Sequence, residues 1–168
     1  MKIEQAIRLT KPDIDLTDLR HELLSRDEAQ CLALRVPGLL YAGRAVEAIR
    51  FGEELLSSLD HQATDTLEYH EIRVNVEFNV SQRLELEGRY ADAARLVRQA
   101  KGECLEEQLH SYLPQLLYSE ARMDLREGRA EESQRKLSVV IPYLDLIGDA
   151  VGAAVMRGWA ARELGVSL

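Results

Sequence analysis

Along residues 90–106 the apolar positions Ala93, Leu96, Val97, Ala100 and Cys104 recur at steps of three and four. That spacing places them on one face of an amphipathic helix. Comparable stripes predict helices over residues 26–42, 45–59, 65–87, 90–106, 112–127, 130–147 and 150–164. A shorter helix over 1–8 is stopped by Lys11-Pro12-Asp13. Ser25 and Glu28 form a capping-box pair ahead of the first long helix, in which each side chain satisfies an amide that the first turn leaves open. Pro114 falls in a first helical turn, where its missing N–H is tolerated. Pro37 and Pro142 fall inside predicted helices, and each predicts a kink by removing a hydrogen bond. One passage conflicts with this pattern. Over residues 72–80, apolar residues alternate with Arg73, Asn75, Glu77 and Asn79, which read alone is a strand signal. It is assigned to a helix because no turn signal bounds it and a lone strand has no sheet to join. A helix packed on two sides also loses a clean 3.6-residue period.

Three passages repeat the same event. At residues 39–48, 84–93 and 124–133 a helical pattern ends, Gly-Arg follows, and a new helical pattern opens. Glycine reaches left-handed backbone angles cheaply and so ends a helix. Five residues after Gly43, Gly88 and Gly128 stand Ala48, Ala93 and Ser133, small enough to let two antiparallel helices approach closely. Units of this kind resemble tetratricopeptide (TPR) repeats. The glycines lie 45 and 40 residues apart, against about 34 for a standard unit, so longer helices are implied. The expected fold class is all-α: a TPR-like, right-handed superhelical array of antiparallel helix pairs in a single domain, 1–168. Residues 1–24 lead in, pairs occupy 25–60, 64–107 and 111–147, and a C-terminal helix occupies 150–164. On that last helix Val151, Val155, Met156 and Trp159 cannot all face one preceding helix. Part of that surface is therefore expected to be covered by a second copy in a two-fold homodimer.

Composition narrows the chemistry. Apolar residues make up 46% and charged residues 30%, which supports a packed core and argues against disorder. The formal net charge of −8 repels a phosphate backbone, so no direct nucleic-acid contact is expected. Cys31 and Cys104 lie far apart without metal-ligand spacing. Both are expected to be buried and reduced. No segment has the length of a signal peptide or a membrane span, and a cytoplasmic location is expected. There is no phosphate loop, His-Glu-x-x-His, paired-cysteine motif or nucleophile elbow. No catalytic residue, metal or cofactor is therefore expected, and the protein is expected not to be an enzyme. Lone histidines, His70 among them, are read as structural or solvated. The charged run at residues 103–107 is read as a solvated face.

Counting back from the corner glycines gives the positions that would line the concave face of a repeat array. They are Gln30 and Ala33, then Asn75, Phe78, Asn79 and Gln82, then Gln115, Tyr118, Ser119 and Arg122. Amides can pair with a peptide backbone, so Asn75, Phe78, Asn79, Gln82, Gln115, Tyr118 and Arg122 are the candidate peptide-binding residues. Residues 113–121, Gly128-Arg129-Ala130-Glu131-Glu132 and residues 144–149 resemble the C-terminal TPR-like region of bacterial Cro/C1-type helix-turn-helix regulators. That set includes the peptide-responsive Rgg, PlcR and PrgX types and the related Rap phosphatases. Residues 3–24, with Thr10-Lys11-Pro12-Asp13, look like the segment preceding the first full repeat there. The resemblance implies a sensor domain in which Asn75 and Asn79 hold a short peptide, and dimerisation through the C-terminal region. No helix-turn-helix pattern fits before Ser25. The chain is thus expected to be either the regulatory portion of a longer regulator or a free-standing repeat protein. A passive scaffold or adaptor docking another protein is the alternative function, and a Rap-like modulator a third.

Overall fold

A computed structural model describes all residues except Met1 and 63–65; the side chains of Lys2, Ile3 and Ala6 also lie outside the description. The protein is all-helical, and no strand occurs among the described residues. The helices are α1 (Lys2–Thr10), α2 (Arg26–Ala33), α3 (Arg35–Tyr41), α4 (Ala45–His61), α5 (Leu67–Leu86), α6 (Tyr90–Glu106), α7 (Leu113–Arg126), α8 (Ala130–Leu146) and α9 (Ala150–Glu163). They pack as two compact units, Met1–Leu109 and His110–Leu168.

In the first unit, Ile7, Ile14, Leu19 and Leu24 of the lead-in are buried. The lead-in is tied down by Lys11 Nζ donating to Leu23 O at 2.8 Å and Tyr69 Oη donating to Leu24 O at 2.9 Å. The Ser25–Glu28 capping box is formed in full. The expected helix over 26–42 is two helices, α2 and α3, divided at Leu34. Pro37 is the cause: without an N–H it cannot bond the Ala33 carbonyl, and its ring crowds that carbonyl. Pro142, by contrast, sits within α8, which continues through it. Residue 65, the expected start of α5, lies outside the described residues; Thr66 is the N-cap.

The corners follow one design. Gly43, Gly88 and Gly128 have φ of 73°, 78° and 79°, and Gly148 repeats the corner between α8 and α9 with φ 80°. Each is closed by an N–H reaching back five residues: Arg44 to Leu39 (2.9 Å), Arg89 to Leu84 (2.8 Å), Arg129 to Asp124 (2.8 Å) and Asp149 to Leu144 (2.9 Å). These bonds satisfy carbonyls that a helix end leaves open. Ala48, Ala93 and Ser133 are fully buried, as close helix approach requires. The turn after α6 uses a fifth corner in which Gln108 holds φ 58°, a conformation costly for a residue with a Cβ.

Residues 72–80 belong to α5, and the alternation has a packing cause. At about 100° per residue, its buried residues spread over about 220° of the helix circumference. They are Ile72, Val74, Val76, Glu77, Val80, Ser81, Leu84 and Glu85. A helix covered on so many sides shows no single apolar stripe. In the second unit, Ala121 of α7, Leu137, Val140, Ile141 and Leu144 of α8, and Ala153, Met156 and Ala160 of α9 form one core. The C-terminal segment folds back on it through Leu164, Val166 and Leu168, with Arg157 Nε donating to Leu168 O at 3.0 Å. No described helix is long and apolar enough to cross a membrane.

Candidate functional site

The sequence-predicted residues fall into two sets, one in each unit. Asn75, Phe78, Asn79 and Gln82 share the strip of α5 opposite its buried arc, together with exposed Glu71 and Leu86. Asn75, Phe78 and Asn79 are half-buried and Gln82 is exposed. Asn79 Nδ2 donates to Asn75 O at 2.8 Å and lies 3.3 Å from Asn75 Oδ1. Successive turns thus hold the two amides side by side.

On α7, Gln115, Tyr118 and Arg122 are half-buried. The Arg122 guanidinium stacks 5.0 Å above the Tyr118 ring, and Tyr118 meets Trp159 edge-on at 5.7 Å and 88°. Tyr118 and Arg122 are therefore brought together with an α9 aromatic, an arrangement favourable to both ring and cation. Ser119 and Ala33, also expected on the groove side, are instead buried. Of the four α9 residues expected to be unable to pack together, Met156 is buried and Trp159 rests on Tyr118. Val151 and Val155 remain 76% and 57% exposed.

Two clefts complete the picture. In the second unit an apolar cleft of about 320 Å³ is lined by His110, Leu113, Pro114 and Leu117 on one side and Val139, Val140 and Tyr143 of α8 on the other. In the first unit a polar cleft of about 310 Å³ opens between α4, α5 and α6. Its walls are Glu53, Leu56, Ser57 and Asp60, then Arg73 and Glu77, then Arg95, Leu96 and Gln99.

The polar cleft is what the sequence reading missed. His70, Arg73 and Glu77 stand three and four residues apart and project as one stripe into the buried arc of α5. Arg73 pairs with Asp60 of α4, and its Nε lies 3.3 Å from Glu103 of α6. His70 Nδ1 lies 2.6 Å from the same Glu103 carboxylate. Glu103 is therefore no solvated charge: its side chain is 14% exposed and engaged by both His70 and Arg73. Burial raises its pKa, against the lowering effect of His70 and Arg73. Glu77 is 3% exposed, and its Oε2 has no hydrogen-bond partner among the described residues. Burial, and next the Glu103 carboxylate, push the Glu77 carboxyl up to about 8, against a smaller lowering by Arg73. The i, i+3, i+7 spacing was visible in the sequence, but nothing there marks that face as buried.

The cysteines divide. Cys104 is fully buried, and burial pushes its thiol up to about 11, so little reactive thiolate forms near neutrality. Cys31 is only half-buried, not buried as expected, because it projects from α2 between exposed Gln30 and buried Leu32. No group of three or more His, Cys, Asp or Glu among the described residues is arranged to hold a metal ion.

No protein-family model, no curated protein and no solved structure matches this chain.

Proposed function

We propose that this chain is a TPR-like array that binds a short extended peptide or protein segment and acts by binding rather than by catalysis. The observation that carries this reading is the exposed strip of α5. A helix buried around most of its circumference leaves uncovered the one face that presents two adjacent amides, a half-buried phenyl ring and Gln82. The Asn79–Asn75 bond engages the donor of one amide and the acceptor of the other. It does not engage the donor of Asn75 or the acceptor of Asn79, the complementary pair that a peptide backbone takes. Tyr118 and Arg122, stiffened by stacking, supply a second preformed patch. The resemblance to peptide-responsive regulators supports a sensor role, with the exposed Val151 and Val155 of α9 as part of a homodimer surface.

The test is a calorimetric titration with a panel of short peptides. Asn79→Ala and Asn75→Ala are each expected to weaken a binding peptide by about 1 kcal/mol, roughly fivefold. Absence of binding across the panel, or unchanged affinity in both variants, overturns the reading. The scaffold alternative is favoured by the apolar cleft beside Leu113 and Tyr143, which suits an apolar side chain of a docked protein. A peptide displaced by Leu117→Glu but indifferent to Asn79→Ala would select it.

A further inference from the structure

We propose that the cleft between α4, α5 and α6 is a separate binding site for an organic cation, a primary ammonium or guanidinium group that enters to pair with Glu77. The inference begins from what Glu77 lacks. A carboxyl withdrawn from water is retained at low cost only when its oxygens are hydrogen-bonded or paired with a positive charge. Oε2 of Glu77 has neither among the described residues, yet the side chain is 97% withdrawn from solvent and lines an open cleft.

The charged groups around it are largely committed to one another. α4 contributes Glu53 and Asp60, α5 contributes His70 and Arg73, and α6 contributes Arg95 and Glu103, with the thiol of Cys104 behind. Arg73, the nearest cation, is already shared between Asp60 and Glu103. Arg95 is exposed and donates to Gln99 on its own helix at 2.7 Å. With Glu77 protonated, the carboxylates of Glu53, Asp60 and Glu103 are balanced by Arg73, Arg95 and Arg89, which pairs with Glu53. The group left to satisfy is the Glu77 carboxyl itself: an entering anion would leave it without a partner, whereas a cation supplies one. Ser57 and Gln99 on the walls offer the ligand further acceptors.

The chemistry of entry balances simply. Glu77 is neutral in the empty cleft near pH 7, because burial and Glu103 hold its proton. An entering ammonium or guanidinium stabilises the carboxylate, the Glu77 proton leaves to solvent, and an ion pair remains. Binding is therefore coupled to release of up to one proton and strengthens as pH rises toward and past 8. The site lies on the buried side of α5, away from the amide strip, so it stands or falls independently of peptide binding there.

The experiment is calorimetry on the full chain with two probes, spermidine and N-acetyl-arginine amide, at pH 6, 7 and 9, in buffers of different ionisation enthalpy at pH 7. At least one probe is expected to bind with one-to-one stoichiometry, at least tenfold more tightly at pH 9 than at pH 6, and with proton release at pH 7. Spermidine alone would identify a free polyamine as the ligand; the arginine amide would identify a basic peptide side chain. Glu77→Gln, which keeps the shape and removes the charge, is expected to abolish both binding and proton release. No binding by either probe overturns the proposal, as does binding that survives in Glu77→Gln. So does a carbon-13 titration of Glu77 within the ordinary carboxylate range in the free protein, because a side chain such as Arg95 would then already supply the missing partner.

Discussion

The hairpins α5–α6 and α7–α8 share a corner and differ in the charge they bury. Both turn on Gly-Arg with a left-handed glycine and set a fully buried small residue five positions later. In the second hairpin, Asp124 stands four residues before the glycine and Lys136 eight after it. Burial alone would raise the Asp124 pKa, but Lys136 and Arg129 both bond its carboxylate and hold it below the usual range. The first hairpin places Leu84 and Leu96 at those same offsets, both buried. One of its two buried carboxyls, Glu77, sits elsewhere on the helix, next to another carboxylate rather than to a free cation. Two carboxyls with little exposed surface are thus driven in opposite directions: burial dominates at Glu77, and two bonded cations overcome it at Asp124.

The largest test of that contrast is Glu77→Gln. The folded-state pKa of Glu77 lies near 8, above its ordinary value of 4.5, so the folded protein binds the proton more tightly than the unfolded chain. Stability is lost as pH rises from about 4.5 to about 8 and stays lower above that window. The variant is expected to be more stable than the parent by about 3 kcal/mol at pH 7, with a flatter pH profile. Urea unfolding at pH 5 and pH 8 measures this, and equal slopes in the two proteins would show that Glu77 has a partner.

Asp124→Asn should move the other way, costing about 2 kcal/mol at pH 7 because Lys136 and Arg129 lose their shared anion. That estimate allows for the access of both cations to water. The Asp124 pKa is depressed, so its contribution is present above the ordinary carboxylate range and lost as pH falls below it. Parent and variant should converge in stability in acid, and a constant difference down to pH 2 would refute the assignment.

Ala93→Leu probes what the hairpins share. Ala93 is fully buried on α6, the helix that packs against α5, and the larger side chain should cost about 1.5 kcal/mol by overpacking. An unchanged melting temperature would mean that the corner tolerates a wider helix separation. The smallest effect belongs to the corner built differently. Gln108 holds φ 58° where the other turns use glycine, and Gln108→Gly should stabilise by about 0.5 kcal/mol, strain relief exceeding the added freedom of the unfolded chain. A loss of stability would indicate that the Gln108 side chain contributes more than its backbone strain costs.

The contrast also separates what local sequence specified from what packing decided. Helix positions, the Ser25 capping box, the Gly-Arg corners and the small residues Ala48, Ala93 and Ser133 were legible because each acts within a few residues along the chain. The amide face of α5 was legible too, since counting back from Gly88 selects positions on one side of a helix. The division at Leu34 was foreshadowed by Pro37, but its position depended on where α3 could resume. Ser119 and Ala33 went astray because exposure is not a property of helical register; a neighbouring element covers a position or leaves it open.

The strongest case is the stripe His70, Arg73, Glu77. In sequence Arg73 and Glu77 interrupt an apolar run and imitate a strand. Only when α4 brings Asp60 and α6 brings Glu103 against α5 do they become a buried charge network with one carboxyl oxygen unpartnered among the described residues. The chain by itself determined which groups carry charge. The tertiary structure decided which of them lose water and which find an opposite charge, because desolvation and pairing depend on residues distant in sequence.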